Sequence, residues 1–243
     1  MSNVEGSALK YQVDGGTHVG FFACDADAEG PRPGVIVVHE WWGCNDFVRE
    51  RARRLAEAGY AAFAVDMFGG GATADRPDQA AALMNGVLQD METGTRRLRT
   101  AYDVLLERPE VDGGRTAAIG YCFGGAMVLH MARIGMPLKA VVSFHGSLGS
   151  FHKPKPGSVK PRILICHGGG DKMVSMDDLE SFRKEMDEAR ADYEVIVYDG
   201  ALHGFTNPQA TERGQKYGLP LAHDAEADAA SWKAMLGLFE KAL

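Results

Sequence analysis

The stretch 116–125, TAAIGYCFGG, decides the fold. A short apolar strand, TAAIG, runs directly into GYCFG at 120–124 and then into the helical pattern AMVLHMAR. The pattern G-x-C-x-G between a strand and a helix is typical of a nucleophile elbow, here with cysteine in the position of the usual serine. The sharp turn crowds the positions two residues before and two residues after the nucleophile, and both are glycine. The stretch therefore predicts an α/β fold that presents Cys122 as a nucleophile at a strand end.

The other cysteines lack such a context. The positive end of the helix that follows Cys122 favours a thiolate at that position. Cys24 and Cys166 lie in predicted strands, where a free cysteine usually behaves as a small inert hydrophobe. Cys44 is an incidental thiol near the predicted site. Since no CxxC pair or zinc-ligand spacing is present, we expect free thiols in a reducing cytoplasm.

Five more short β-rich runs surround the elbow, and several are apolar without strict alternation, as in strands that are buried on both faces of a parallel sheet. These runs are Gly34–His39, Ala61–Asp66, Ala140–Phe144, Ile163–His167 and Tyr193–Tyr198. Near the N-terminus, Tyr11–Val13 and Thr17–Cys24 flank Gly15-Gly16 and predict an antiparallel hairpin.

Helical patterns lie between the strands. One begins at Asn45 or Asp46 and stops at Gly59, and a second has a one-sided stripe from Met91 to Leu105. A third begins with Asp177 and Glu180, which resemble a capping box. The last runs from about His223 to the C-terminus. Alternating strands and helices predict one domain over 1–243, a mostly parallel, doubly wound α/β sheet flanked by helices, with the hairpin at its edge.

Composition excludes several classes of protein. The chain has 243 residues, 45% of them apolar and 24% charged, which is ordinary for a globular protein and excludes a disordered or fibrous one. The net charge of −7, without a basic run, argues against nucleic acid or an anionic membrane as a partner. No secretory signal or membrane-spanning run is evident, so we expect a cytoplasmic protein.

Two further strand ends carry the residue types that a cysteine nucleophile needs. Asp171 follows the strand ILICH and three glycines, and His203 follows the strand YEVIVY within the sequence DGALHGF. Nucleophile, acid and histidine in this chain order are the order of the α/β-hydrolases. Asp199 competes with Asp171 as a carboxylate at a strand end, but order and spacing favour Asp171. We therefore predict a Cys122-Asp171-His203 triad.

Backbone N–H groups near the triad are candidates for an oxyanion hole. One donor is the N–H of Phe123, the residue after the nucleophile, and the other is the N–H of Trp41 in the loop that follows the strand GVIVVH. Such donors are worth roughly 2.7–4 kcal/mol each in the transition state. Among the other histidines, we expect His39 to support the shape of this loop. We expect His145 and His167 to serve packing or hydrogen bonding.

The combination of HEWWG at 39–43, GYCFGG at 120–125, the glycine-rich loop that ends in Asp171, and LHGF at 202–205 resembles the dienelactone hydrolase (carboxymethylenebutenolidase) family. The resemblance extends from about Tyr11 to the C-terminus. It implies an α/β-hydrolase fold and a Cys-His-Asp triad that opens a lactone or ester through a thioester, without a metal or cofactor. It also implies that Glu40 pairs with the nucleophilic cysteine and affects thiolate formation.

One position departs from the family pattern. Dienelactone hydrolase uses two arginines for the carboxylate of its substrate, one of them four residues after the catalytic histidine, and Asn207 stands there in this chain. Arg76 is a candidate for a remaining positive charge. The aromatic residues near the predicted site suggest instead a pocket for neutral aryl esters, unless the tryptophan pair belongs to the core; these residues are Trp41, Trp42, Phe68, Phe123 and Phe205.

Three functional hypotheses follow. The first is a cysteine-dependent hydrolase of small-molecule esters or lactones, active as a monomer or a small homo-oligomer. The second is a promiscuous aryl-esterase and phosphotriesterase, in which the same thiolate attacks a neutral phosphotriester. The third, of a different class, is a non-catalytic thiol sensor or binding module on a hydrolase fold, which predicts slow alkylation of Cys122 and no acyl-enzyme burst.

Overall fold

The computed structural model describes residues 3–243. Within these residues lie eight strands of a mixed sheet and seven helices. In chain order they are β1 (Val4–Val13), β2 (Gly16–Asp25), β3 (Arg32–Val38), α1 (Asp46–Glu57), β4 (Ala61–Val65), α2 (Pro77–Leu88), α3 (Met91–Leu106), β5 (Val111–Tyr121), α4 (Phe123–Arg133), β6 (Ala140–Phe144), β7 (Arg162–Gly168), α5 (Met176–Ala189), β8 (Tyr193–Tyr198), α6 (Ala210–Tyr217) and α7 (Ala225–Ala242).

The contacts of the described residues define two compact units, one that ends at Ala118 and one over Ile119–Leu243, and the boundary falls within the sequence of β5. The single domain expected over 1–243 stays a prediction. No helix of residues 3–243 combines the length and the apolar composition that a membrane span requires.

The first unit contains the hairpin and its neighbouring strands, in the order β1-β2-β4-β3. The pairing of Val13 with Gly16 closes the antiparallel hairpin, whose strands are longer than the sequence predicted. β2 pairs antiparallel with β4, whereas β3 pairs parallel with it. All five residues of β4 are buried, which explains why its sequence, AAFAV, is apolar without alternation.

Helix α1 begins and ends where its sequence indicates. Asn45 is the N-cap residue in extended backbone, and the buried face includes Val48, Ala52 and Leu55. Gly59 adopts a φ of 91°, and its N–H donates to the carbonyl of Ala56. Because this left-handed conformation is costly for most residues with a Cβ, glycine ends the helix here.

In the second unit, β6, β7 and β8 are parallel neighbours. Every residue of β6 is buried, as is every residue of β7 except Arg162. Helix α4 packs on β6, and all eleven of its residues are buried. The carboxyl end of β7, after which the sequence predicts Asp171, is thus supported by a tightly enclosed core, whereas β8, which precedes His203, is mostly half-buried.

Two features of the second unit differ from the sequence-based prediction. The capping box of α5 is formed by Ser175 and Asp178, not by Asp177 and Glu180. The backbone N–H of Asp178 donates to Ser175 Oγ over 3.1 Å, and the N–H of Ser175 donates to Asp178 Oδ2 over 2.8 Å. A serine hydroxyl in the N-cap position thus begins the helix earlier than predicted. The sequence also did not predict helix α6.

Candidate active site

Cys122 connects β5 to α4 in a strained backbone conformation. Its φ is 52° and its ψ is −114°, which only a tightly held turn maintains in a residue with a Cβ. The N–H of Cys122 donates to the carbonyl of Phe144 at the end of β6 over 3.0 Å, and its carbonyl accepts from the N–H of Gly125. The side chain remains partly exposed. These contacts form an elbow that presents a thiol at the end of a strand.

The crowding predicted around the elbow is present at Gly120. A Cβ built on Gly120 would overlap the carbonyl oxygen of Gly124, which belongs to the backbone of α4 and has no space to move. Phe123 is the first residue of α4, a position whose N–H points out of the helix end. The turn therefore depends on glycine at position 120.

Asp171 is held by its own turn and by the histidine. Its Oδ1 accepts the backbone N–H groups of Met173 and Val174 over 2.7 and 3.0 Å. Its Oδ2 lies 2.8 Å from Nδ1 of His203. Burial alone would raise the pKa of Asp171, but the bonds to His203 and to the two backbone groups hold it below its usual value. The carboxylate is therefore ionised and fixed in orientation.

The imidazole of His203 is buried between two acidic groups. Because an ionised carboxylate only accepts, Nδ1 carries a proton toward Asp171, and Nε2 is left for the nucleophile. Nε2 is buried without a conventional hydrogen bond among the described residues. Burial acts to lower the pKa of His203, but the charge of Cys122 and the bond to Asp171 outweigh it and raise this pKa to about 10.

The structure thus brings Cys122, Asp171 and His203 together. Asp199, the competing carboxylate, is exposed, and the acid at hydrogen-bond distance from His203 is Asp171. The histidine of this group binds its acid through Nδ1 and interacts electrostatically with the thiol. This arrangement can transfer a proton from a thiol and return it to a leaving group.

Residues around His203 are closely packed. The ring of Phe205 is fully buried, and it contacts Tyr198 at 5.4 Å and His145 at 5.2 Å between ring centroids. Asn207 is also buried, and its Oδ1 accepts the N–H of Gln209 over 2.9 Å. The roles of Phe205 and Asn207 in substrate binding stay predictions. His167 is buried as well, and burial lowers its pKa.

The predicted residues of the first unit lie in the loops after β3 and β4. Glu40 is buried, at 5% exposure. Trp42 packs with Ala74 and Ala80 in a small core cluster, and the ring of Trp41 meets that of Trp42 edge-on at 4.9 Å. Trp42 thus belongs to the core of its own unit. This was the alternative to a role in an aromatic substrate pocket, and it weakens the argument for such a pocket.

The remaining two candidates of the first unit are Phe68 and Arg76. Phe68 packs edge-on against His39, with 4.6 Å between the centroids. Arg76 forms an exposed bidentate ion pair with Asp78. Its charge is therefore partly matched by a neighbour.

His39 supports the loop that follows β3, as expected from its position. Its Nδ1 lies 2.5 Å from the carbonyl oxygen of Glu40, and its Nε2 accepts the N–H of Met67 over 3.2 Å. One proton on Nδ1 satisfies both bonds. Burial lowers the pKa of His39 to about 4, so that the ring is neutral. A neutral imidazole thus links the ends of β3 and β4.

The expectation that His145 serves packing or hydrogen bonding is confirmed, since its Nε2 lies 2.8 Å from Oγ1 of Thr206, a partner that the sequence did not identify. The only signal in the sequence was the position of His145 directly after a strand. In residues 3–243, no group of three or more histidine, cysteine, aspartate or glutamate side chains is arranged to hold a metal ion.

Comparisons with known proteins agree with the fold. A crystallised dienelactone hydrolase-like promiscuous phosphotriesterase from metagenomic libraries is 37% identical, with a TM-score of 0.90 over 99% of each chain. A provisionally named carboxymethylenebutenolidase of Escherichia coli (strain K12) is 30% identical over 91% of this chain and 81% of its own length. Protein usf of Aquifex pyrophilus is 29% identical over 87% and 89%.

The fold is therefore that of the α/β-hydrolases, with an antiparallel hairpin, β1-β2, at its N-terminus. The sequence model of the dienelactone hydrolase family matches residues 20–243, nearly the whole chain. This chain belongs to the dienelactone hydrolase family.

Proposed function

We propose that this dienelactone hydrolase-like enzyme cleaves small carboxylic esters or lactones with Cys122 as nucleophile, His203 as base and acid, and Asp171 as the group that orients the histidine. One observation carries the proposal. His203 has Nδ1 bound to Asp171 at 2.8 Å and a pKa that the charge of Cys122 helps to raise, against burial, to about 10. A histidine held in this way accepts the proton of a neighbouring thiol.

The proposed reaction has two halves. First, the proton of Cys122 passes to Nε2 of His203, and the thiolate attacks the carbonyl carbon of the substrate. The C–O bond to the leaving group then breaks, and the imidazolium donates its proton to the departing oxygen, which leaves a thioester. In the second half, His203 takes a proton from water, the resulting hydroxide cleaves the thioester, and the proton returns to the sulfur.

Charge on the carbonyl oxygen in both halves needs hydrogen-bond donors. The N–H of Phe123, at the first position of α4, is the proposed donor from the elbow. The assignments of Trp41 as a second donor and of Glu40 as a partner of the thiol rest on the sequence pattern and stay predictions.

The test uses an activated aryl ester and two matched cysteine variants. We expect Cys122→Ala to lower kcat/KM by roughly 10⁵–10⁶-fold, because the nucleophile is removed. Cys24→Ala removes a partly exposed thiol in β2 and should retain wild-type kinetics. Rapid quenching followed by mass spectrometry should find the acyl group on Cys122. An active Cys122→Ala variant, or an acyl group on another residue, would exclude the proposed mechanism.

A neutral phosphotriester is the second candidate substrate. The similar phosphotriesterase matches 99% of this chain, and Asn207 stands where the family pattern has an arginine for a carboxylate. Attack of the same thiolate on phosphorus forms a P–S bond while the P–O bond to the leaving group breaks and His203 donates its proton to the departing oxygen; the same backbone donors stabilise the charge on the phosphoryl oxygen. Water deprotonated by His203 then breaks the P–S bond, and the proton returns to the sulfur.

A comparison of substrates separates the two candidates. Diethyl 4-nitrophenyl phosphate and 4-nitrophenyl acetate release the same chromophore, so their kcat/KM values are directly comparable. We expect the ester to be the better substrate and both activities to disappear in Cys122→Ala. Phosphotriester turnover that persists in Cys122→Ala would contradict the shared nucleophile. A carboxylated lactone in the same assay tests whether the missing arginine excludes anionic substrates.

A further inference from the structure

His145 stands directly after β6 in a conformation that residues with a Cβ rarely adopt. Its φ is 41°. Its N–H donates to the carbonyl of Cys166 in β7 over 2.8 Å, while the carbonyl of the preceding residue, Phe144, accepts the N–H of Cys122. Such a backbone conformation is energetically unfavourable and persists only where the surroundings determine it. The strained residue is thus next to the group that holds the nucleophile.

The side chain of His145 contacts the base and its loop together. The imidazole is fully buried, and its centroid lies 5.3 Å from that of His203, with 65° between the rings. It also meets Phe205 edge-on. Its Nε2 is hydrogen-bonded to Oγ1 of Thr206, which is fully buried and lies three residues after His203. One side chain therefore fixes the position of the ring and the loop that carries it.

We propose that His145 is a positioning residue of the triad: bonded to Thr206 and packed edge-on against His203, it holds the imidazole of His203 within reach of Cys122. The inference rests on the proposed function, since it assigns His203 the role of base. Asp171 already sets the tautomer of His203 through Nδ1. What remains to be set is the distance between the ring of His203 and the sulfur of Cys122. His145 packs against that ring, and the residue before it, Phe144, accepts the N–H of Cys122.

The test removes the hydrogen bond from either end. Thr206→Val deletes the hydroxyl with little change of shape, whereas Thr206→Ser retains it. His145→Phe keeps a ring against His203 and Phe205 but cannot bond Thr206. Tyr198→Phe is the matched control, because it deletes a hydroxyl that bonds Cys166 Sγ beside the same core and leaves His145 and His203 untouched.

Two readouts separate positioning from a structural effect. The first is the separate measurement of kcat and of KM with an aryl ester. We expect Thr206→Val and His145→Phe to lower kcat about 10- to 100-fold at nearly unchanged KM, since a misplacement of about 1 Å costs up to 10²-fold. The second is the pH profile of Cys122 alkylation by iodoacetamide, which needs no substrate and reports the pairing of the thiol with His203. Both variants should shift it, and Thr206→Ser should restore it.

The outcomes are distinct. Circular dichroism shows which of Thr206→Val and His145→Phe folds like the wild type. If such a variant has the kcat and the alkylation profile of the wild type, the inference is overturned. If neither variant folds, Thr206→Ser decides, because it retains the hydrogen bond to His145. A fall of its kcat as large as that expected for Thr206→Val would then overturn the inference. A wild-type protein without ester hydrolysis, but with a shifted profile in the variants, would reject the proposed function and leave the positioning role intact.

Discussion

His39 and His203 are both buried imidazoles in loops that follow strands, and their pKa values shift in opposite directions. Burial lowers the pKa of His39 to about 4, while that of His203 rises to about 10. The partners explain the difference. His39 is bonded to a backbone carbonyl and a backbone N–H, which are neutral, whereas His203 faces the acidic groups of Cys122 and Asp171.

The comparison shows that burial does not determine what a histidine does. In each case desolvation disfavours the charged ring. The charge of Asp66 also acts to raise the pKa of His39 but does not offset burial, whereas the charge of Cys122 and the bond to Asp171 outweigh burial at His203, whose ring takes up a proton. A neutral ring between two backbone groups instead serves as a fixed link. Changes to either set of partners test this interpretation.

The largest effect is expected from Cys122→Ala. Besides abolishing ester hydrolysis, this change removes the leading cause that raises the pKa of His203, while burial and the bond to Asp171 remain. We expect the titration of the His203 ring, followed by NMR, to move to lower pH. Cys24→Ala is the control and should leave that titration unchanged. If His203 titrates at the same pH in Cys122→Ala and in the wild type, the charge of Cys122 does not explain the difference between His203 and His39.

Asp171→Asn should have the next largest effect. An amide has nearly the shape of the carboxylate, but it carries no charge and can turn its NH₂ group toward Nδ1, which then loses its proton. By analogy with other triads, kcat should fall by about 10⁴-fold. The pKa of His203 should fall as well, because a second raising cause is lost. Stopped-flow kinetics and the same NMR titration measure both consequences, and an unchanged kcat would show that Asp171 does not orient the base.

His39→Gln tests the neutral side of the comparison and should have the smallest effect at neutral pH. Because the pKa of His39 is lower in the folded state than the ordinary 6.5, the unfolded chain binds the extra proton first as the pH falls. Stability linked to His39 is therefore complete above about pH 6.5 and is lost as the pH falls toward 4, by roughly 2–4 kcal/mol in total.

Glutamine can make both hydrogen bonds but does not titrate. We therefore expect His39→Gln to flatten the dependence of the unfolding free energy on pH between 6.5 and 4, measured by urea denaturation at each pH. An acid dependence equal to that of the wild type would assign this loss of stability to other groups.

The succession of strands along the chain and the proximity of Cys122, Asp171 and His203 could be predicted from the sequence because both leave local signals. Buried strands such as β6 are short apolar runs, and Cys122, Asp171 and His203 each follow a strand in the chain order of the hydrolase fold. The sequence did not predict helix α2, of whose twelve residues only Ala80 and Val87 are buried.

Contacts between distant segments were beyond a sequence argument. His145 and Thr206 are 61 residues apart, and their hydrogen bond depends on a left-handed backbone at a residue that carries a Cβ. The position of a capping box was also ambiguous, because Asp177 with Glu180 fits the same spacing as Ser175 with Asp178. The structure has the pair Ser175 and Asp178, in which the hydroxyl of Ser175 accepts the N–H of Asp178.

The turn from Asp171 to Val174 has a consequence for how this site can change. Its carboxylate bonds N–H groups only two and three residues ahead, so that closing these contacts costs little chain entropy and requires no distant partner. The acid is thus oriented by its immediate neighbours even before the histidine is in place. Mutations in the loop that carries His203 should leave the conformation of this turn unchanged. Asp171→Glu would instead lengthen the side chain and disturb both hydrogen bonds of the turn.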